Sequence, residues 1–170
     1  MFNPTENYLH LSQAIGKILL QKKWTLCVAE SCTGGAVASA ITAVSGASQW
    51  FGYGLVTYSN QAKQSLLQVS AKTLLEKGAV SREVVLEMVR GALDLSGANV
   101  AVSISGIAGP DGGTPDKPVG SVWFGLAVGD ELTAEFHHFT GDRLVVQQQA
   151  VIMALERILD LLGHQEKNTV

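Results

Sequence analysis

The 170-residue sequence contains few cysteines, few charged residues and no long apolar run. Its two cysteines, Cys27 and Cys32, are too few for a disulfide framework and match no zinc-binding spacing, so they predict reduced thiols in a cytoplasmic protein. No apolar stretch reaches the roughly 18 residues that a membrane helix needs. Residues 1–8 lack the basic and apolar segments of a signal peptide. We therefore expect neither a membrane span nor a cleaved leader.

A strongly basic balance is also missing, because 12 Lys and Arg residues stand against 15 Asp and Glu residues. The formal net charge of −3 gives no electrostatic basis for binding nucleic acid. Hydrophobic residues make up 46% of the chain and charged residues 16%, which is typical of a compact globular protein. Since no repeat or polar linker divides the chain, we predict one domain over residues 1–163 and a disordered tail over residues 164–170.

Several common site motifs are missing as well. The sequence has no GxxxxGK phosphate loop, no GxGxxG turn after its first predicted strand and no HExxH pair. Its four histidines, His10, His137, His138 and His164, are scattered, and none adjoins a glycine-rich loop. This distribution argues against a Ser-His-Asp triad and against a metal site, so we expect no bound metal.

Hydrophobic periodicity predicts alternating helices and strands. Short helices are predicted after Asn60 and Ser70, a longer helix runs from Ser81 to about Gly97, and the dipeptide Gly129-Asp130 predicts a hairpin. Helices therefore flank a central sheet, which predicts an α/β fold, a three-layer α/β/α sandwich with a mixed, mostly parallel sheet. The predicted strands are residues 24–29, 52–58, 99–105, 119–128 and 132–139, and the other helices are residues 6–22, 33–44 and 143–162.

The segment AESCTGG at residues 29–35 joins a buried strand to a helix of small residues. Ser31 would lie at the carboxyl edge of the sheet, where open α/β folds place their ligands. Free N–H groups at the start of the helix can hold an oxyanion or part of a substrate's negative charge, while Gly34 and Gly35 permit close approach. Alternatively, Ser31 or Thr33 is only an N-cap. The spacing leaves both interpretations open.

A serine nucleophile needs a base, and without a nearby histidine the candidates are a lysine, a tyrosine or a carboxylate. The next strand ends in TYSN at residues 57–60, and Lys63 follows three residues later. If this strand is parallel to the first, Tyr58 and Lys63 lie near the same edge of the sheet as Ser31. Desolvation can lower the pKa of a lysine toward neutrality and make it a base. An exposed lysine and a core tyrosine are the alternative.

Arg143 follows Thr140-Gly141-Asp142 at the start of the last predicted helix. A cation there opposes the helix macrodipole by about 0.3–1 kcal/mol, and a bound anion would offset this cost. Arginine suits a phosphate or a carboxylate, whereas a solvated pair with Asp142 is the alternative. The glycine-rich loop at residues 106–118 is too polar for the core and is a further candidate for a functional loop.

Together, these segments resemble the CinA C-terminal domain family, in particular its stand-alone nicotinamide-mononucleotide deamidases. The resemblance covers nearly the whole chain, and the ordered blocks are more specific than any single glycine motif. The matching blocks are AESCTGG at residues 29–35, VTYSN at 56–60 with Lys63, GAVS at 78–81, SISGIAGPDGG at 103–113, KPVG at 117–120 and GDR at 141–143.

The resemblance implies an amidohydrolase that converts nicotinamide mononucleotide to nicotinate mononucleotide and ammonia. It implies that Ser31 is the nucleophile and that Lys63 and Tyr58 activate it, with Lys63 acting directly or through Tyr58. Backbone N–H groups near Cys32 and Thr33 would stabilise the oxyanion. The residues expected to contact the nucleotide are Cys32, Thr33, Gly34, Gly35, Ser105, Gly109, Gly112, Gly113 and Arg143.

The resemblance further implies a cytoplasmic homodimer without a metal or an organic cofactor. Larger family members carry an additional N-terminal domain associated with nucleotide pyrophosphatase activity, which we do not expect here. Two other functions stay open. A non-catalytic nucleotide-binding or regulatory module would keep Arg143 but would not need Ser31, Tyr58 and Lys63 together. The second is an amidase that acts on a different pyridine substrate, such as free nicotinamide or another pyridine nucleotide. An uncharged substrate would give Arg143 nothing to bind.

Overall fold

The computed structural model describes the backbone of residues 4–167 and the side chains of residues 7–163. Five strands form one mixed sheet with helices on both faces, which confirms the predicted α/β/α sandwich. In this part of the chain, no helix is long and apolar enough to cross a membrane. The strands are β1 (Leu26–Glu30), β2 (Phe51–Val56), β3 (Val100–Gly106), β4 (Ser121–Val128) and β5 (Glu131–His138), and the helices are α1 (Pro4–Lys22), α2 (Ala36–Thr42), α3 (Asn60–Leu67), α4 (Ala71–Lys77), α5 (Arg82–Ser96) and α6 (Arg143–Lys167), with a short 3-10 helix at Ala47–Gln49.

The sheet has the strand order β2-β1-β3-β4-β5. β1 pairs in parallel with β2 and β3, whereas the β3–β4 and β4–β5 pairs are antiparallel. The prediction of a mostly parallel sheet is therefore wrong in this detail, because residues 107–120 contain no helix to carry the chain back across the sheet and β4 returns antiparallel. The predicted hairpin at Gly129-Asp130 is confirmed by the pairing of Val128 with Glu131.

Both faces of the central strands are buried, as their nearly continuous apolar sequences predict. On one face, α1, α2 and α6 pack against side chains that include Val28 and Phe124. On the other face, α3, α4 and α5 cover a smaller core that includes Cys27 and Ala101. Both cysteines of the chain are buried free thiols.

Most helix ends lie where capping signals predict them. Ser70 and Ser81 cap α4 and α5 by accepting hydrogen bonds from backbone N–H groups, and Gly97 ends α5 in the left-handed conformation at φ 65°. The N-cap of α3 is Ser59 and not Asn60, because the Ser59 hydroxyl accepts a 3.0 Å hydrogen bond from a backbone N–H of the first turn.

Four helix boundaries differ from the prediction, namely the start of α1, both ends of α2 and the end of α6. α2 begins at Ala36 instead of residue 33, since residues 32–35 form a turn. α6 continues to Lys167 beyond its predicted end at residue 162, so residues 164–167 are helical and not part of a disordered tail. Gly163 does not stop this helix, because an interior glycine costs only about 1 kcal/mol. Residues 168–170 of the predicted tail lie outside the described residues.

The topology brings the carboxyl ends of β1, β2 and β3 to one edge of the sheet. Strand-like hydrogen bonds continue just past the strands, since the Ser31 N–H donates to the Ile104 carbonyl at 2.9 Å and the Thr57 N–H donates to the Glu30 carbonyl at 2.8 Å. Arg143, the first residue of α6, reaches the same edge. Segments that are distant in sequence therefore meet here.

We expect Gly91→Ala to destabilise the fold, although alanine is normally favourable inside a helix. Gly91 lies in α5 against the main chain at the end of α3, and a Cβ atom would collide with the Leu67 carbonyl. Overpacking of this kind costs about 1–3 kcal/mol, which would lower the melting temperature. Gly163→Ala is the matched control, because a Cβ there meets nothing within 4 Å. An unchanged melting temperature for Gly91→Ala would contradict this packing.

Candidate active site

A cavity of about 230 Å³ opens at the carboxyl edge of β1, β2 and β3. Six of the lining residues are site residues predicted from the sequence, namely Ser31, Cys32, Tyr58, Lys63, Ser105 and Arg143. The sequence did not assign the other four, which are Ala79, Val80, Gly106 and Ala108, although the block at 78–81 and the loop at 106–118 contain all of them.

Ser31 and Lys63 are in direct contact in this cavity. The Lys63 Nζ atom lies 2.9 Å from the Ser31 Oγ atom and donates a 2.8 Å hydrogen bond to the Thr57 carbonyl. Ser31 is 8% exposed and Lys63 only 1%, so the lysine is buried and not exposed. The sequence left open whether Tyr58 or Lys63 contacts the serine, and the structure places Lys63 there.

Burial lowers the pKa of Lys63 from 10.5 to about 8, because the charged ammonium loses water contacts that the protein does not fully replace. With this pKa, roughly one molecule in ten carries an uncharged Lys63 at neutral pH, and half do so near pH 8. An uncharged amine at hydrogen-bonding distance from a hydroxyl can accept its proton. The two side chains can therefore act as a nucleophile and its base.

The residue before Ser31 organises the turn at residues 31–35, which we call the Ser31 loop. Glu30 is fully buried, and its carboxylate accepts hydrogen bonds from the backbone N–H groups of Gly35 at 3.0 Å, Val37 at 3.1 Å and Ala38 at 2.8 Å. Glu30 thus occupies N–H groups at the start of α2 that we expected, from the sequence, to lie free beside Ser31. An acidic residue just before a helix start was the available signal for this contact.

Two N–H groups of the Ser31 loop have no acceptor among the described residues, those of Cys32 and Thr33. The Gly34 N–H instead donates to the Ser31 carbonyl at 3.1 Å. The Cys32 carbonyl accepts a 2.8 Å hydrogen bond from the Gln147 Nε2 atom on α6. Free backbone N–H groups beside a nucleophile are suited to holding an oxyanion.

Cys32 is the neighbour of Ser31, but its thiol is a poor nucleophile. Burial raises the pKa of Cys32 to about 12, so the thiolate is scarce at neutral pH. Its sulfur packs closely against the main chain of β3, since a Cβ at Gly106 would lie 3.1 Å from it. Packing is therefore the role that the structure gives to this side chain.

Tyr58 contacts Arg143 and not the Ser31–Lys63 pair. The Arg143 Nη2 atom donates to the Tyr58 Oη atom at 2.9 Å, and Nη1 donates to the Gly109 carbonyl at 2.9 Å. Tyr58 is 60% exposed and is thus no core tyrosine. Asp142 instead caps α6, because its Oδ1 atom accepts a 3.0 Å bond from the Val145 N–H. Within the described residues, Arg143 forms no ion pair with Asp142.

The other predicted substrate-binding residues do not all lie at the cavity, and Thr33, Gly34 and Gly35 are not among the residues that line it. Ser105 lines it, and its hydroxyl donates to the Ala79 carbonyl at 2.8 Å. Gly109 lines an adjoining pocket of about 470 Å³ on the other side of Arg143. Gly112 and Gly113 are exposed and line neither space. Over the described residues, no group of His, Cys, Asp or Glu side chains is arranged to hold a metal ion.

The fold and the site define a class of protein, an α/β/α sandwich with a buried serine–lysine contact at the carboxyl edge of its sheet. A sequence model described as the CinA C-terminal domain matches residues 9–162, and the chain belongs to this family. The resemblance found in the sequence is thereby confirmed.

The names of similar proteins indicate the type of activity. The chain is 54% identical over 158 residues to the nicotinamide-nucleotide amidohydrolase PncC of Enterobacter agglomerans, a match that covers 91% of this chain and 96% of that protein. It is 49% identical over 152 residues to the protein of the same name from Escherichia coli strain K12, with 88% and 92% covered. A CinA superfamily protein from Klebsiella pneumoniae 700603 has a TM-score of 0.89 at 39% identity, with 96% and 99% covered. These relatives confirm the predicted enzyme class, an amidohydrolase.

We expect Lys63 to titrate with a midpoint near pH 8, because burial disfavours its ammonium form. In protein labelled with ¹³C-lysine, its Cε signal would shift at that pH, and the loss of the signal in Lys63→Met would assign it. Ser31→Ala is the control, since burial and not the hydroxyl lowers the pKa, so the midpoint should stay well below 10.5 in that variant. A midpoint at the ordinary value of 10.5 would contradict the buried position.

Proposed function

We propose that this chain hydrolyses the carboxamide of nicotinamide mononucleotide to give nicotinate mononucleotide and ammonia through a covalent Ser/Lys mechanism. The observation that carries the mechanism is the 2.9 Å contact between Ser31 Oγ and the buried Lys63 Nζ. The substrate comes from the relatives, two of which are named nicotinamide-nucleotide amidohydrolases. A purely nucleotide-binding module would have no use for a desolvated lysine bonded to a serine.

In the first half of the reaction, uncharged Lys63 accepts the Ser31 hydroxyl proton while Oγ attacks the carboxamide carbon. The Thr57 carbonyl accepts one amine N–H and so orients the amine. The direct Lys63–Ser31 contact favours proton transfer without a Tyr58 relay. The tetrahedral intermediate carries its negative charge on the former carbonyl oxygen, for which the free Cys32 and Thr33 N–H groups are the candidate donors.

In the second half, protonated Lys63 returns its proton to the amide nitrogen, which leaves as ammonia and leaves an ester on Ser31. Water then attacks the ester carbon, and Lys63 again accepts a proton and returns it to Oγ. The acid product loses its proton to solvent and departs as the carboxylate, and the free enzyme is restored. The cycle consumes one water and needs no redox partner.

Arg143 is the proposed contact for the nucleotide's phosphate. Its two hydrogen bonds to Tyr58 and Gly109 use two of the five guanidinium N–H donors, so three stay free for a ligand. Among the described residues that line the cavity, none is acidic, which favours an anionic substrate. We also keep the homodimer and the cytoplasmic location as predictions from the family resemblance.

We expect Ser31→Ala to abolish turnover and to leave the fold and nucleotide binding largely intact, since the change removes only the attacking oxygen. Cys32→Ala should retain most of the activity, because its thiol packs against β3 and its backbone N–H is kept. The ammonia released from nicotinamide mononucleotide measures both variants. An inactive Cys32→Ala beside an active Ser31→Ala would show that the nucleophile is misassigned.

We expect Arg143→Ala to cost about 1.5–3 kcal/mol of binding, the contribution typical of hydrogen bonds to a charged group, because the variant loses the guanidinium donors. Most of the loss should appear as a raised KM, because the phosphate is remote from the reacting amide. The dephosphorylated riboside is the matched control substrate, and its already poor hydrolysis should barely change. Steady-state kinetics of both proteins with both substrates form a double-mutant-style cycle. Equal losses on the two substrates would place the phosphate elsewhere.

A further inference from the structure

Three successive glutamines, Gln147, Gln148 and Gln149, lie in the second turn of α6, and the side chains of Gln147 and Gln149 have different partners. The Gln147 amide is half-buried and donates to the Cys32 carbonyl in the Ser31 loop at 2.8 Å. The Gln149 amide instead bonds the Thr140 and Val145 carbonyls near the start of α6. Only Gln147 of these three thus links the last helix to the segment that carries the serine.

The Cys32 carbonyl belongs to the same peptide unit as the Thr33 N–H. In a planar trans peptide the C=O and the N–H point in opposite directions, so a side chain that holds the carbonyl also fixes the direction of the N–H. Since Gln147 holds this carbonyl from α6, the Thr33 N–H is directed away from α6. The Gln147 contact therefore sets the rotation of one peptide in the Ser31 loop.

Thr33 has an unusual number of unpaired polar groups for a buried residue. It is 3% exposed, and among the described residues neither its N–H nor its hydroxyl has a hydrogen-bond partner. Buried polar groups are nearly always paired, so a free donor two residues from Ser31 along the chain indicates a group held for a ligand. Glu30 fixes the far end of the same loop through the N–H of Gly35.

We propose that Gln147 is a positioning residue, which holds the Cys32–Thr33 peptide so that the Thr33 N–H stays free for the oxyanion of the reaction. This inference rests on the proposed function, since an oxyanion forms only if Ser31 attacks an amide. The Gln147 amide forms no hydrogen bond with the Ser31 or Lys63 side chain, and it acts through the peptide that it holds. Loss of its donor lets this peptide rotate, and the N–H then no longer meets the developing charge.

The test uses Gln147→Met, which keeps the length of the side chain and removes its donor, and Gln147→Glu, whose carboxylate repels the Cys32 carbonyl. Gln149→Met is the matched control, because it removes an identical amide two residues along the same helix. We expect kcat on nicotinamide mononucleotide to fall about 10- to 100-fold in both Gln147 variants, less than for complete loss of an oxyanion donor. KM and the melting temperature should stay close to wild type, and Gln149→Met should retain its kcat.

A kcat within twofold of wild type in Gln147→Met would overturn the proposal, and so would an equal loss in Gln149→Met or a loss confined to KM. If either Gln147 variant is unstable, the other still decides the question.

The ¹⁵N–¹H signal of Thr33 gives a readout that needs no substrate, because it shifts when the preceding carbonyl loses its hydrogen bond. If the wild type does not hydrolyse the nucleotide, the proposed function fails, and the signal alone decides whether Gln147 holds this peptide. An unchanged Thr33 signal in Gln147→Met then overturns that role too, and a shifted one supports it.

Discussion

Lys63 reaches the Ser31 hydroxyl because separate parts of the fold fix both side chains. Parallel pairing of β1 with β2 brings the two strand ends together, with Glu30 opposite Val56. Ser59 then caps α3 shortly after β2 ends, which places Lys63 in the first turn of α3. The Thr57 carbonyl lies between these elements and receives the amine. A register shift of a single residue would separate the amine from the hydroxyl, so the chemistry of the site depends on the pairing of two strands.

The carboxylate of Glu30 also fixes the Ser31 loop, because it binds backbone N–H groups where the loop enters α2. Burial of an unpaired charge is strongly unfavourable, and here three backbone N–H groups and the N-terminus of α2 stabilise it. The Ser31 loop is therefore fixed by β1 on one side and by the capped helix on the other. A site held this way needs little rearrangement when charge develops on a substrate, which is the condition under which fixed dipoles are most effective.

The sequence was sufficient for the α/β/α architecture, because apolar periodicity, serine caps and the Gly129-Asp130 turn are all local signals. It also predicted every polar side chain that lines the cavity within the described residues. The choice between Tyr58 and Lys63 as the partner of Ser31 could not be made from spacing, since both follow the same strand. They differ in the group that each side chain reaches, which is Arg143 for Tyr58 and Ser31 for Lys63. Gln147 carries no local signal at all, because its partner is 115 residues away in sequence. Contacts of this kind are set by how the last helix packs on the sheet.

The burial of the Cys32 thiol, in the residue after Ser31, affects how the protein responds to oxidants and alkylating agents. Peroxides and alkylating agents attack the thiolate form of cysteine, and susceptibility rises with exposure. Cys32 is buried, and its pKa is raised to about 12, so it offers such reagents almost no reactive form. The hydroxyl of Ser31 is itself not oxidised under these conditions. The fold thus keeps a polarizable, well-packing sulfur atom in the residue after Ser31 without making that site a redox sensor.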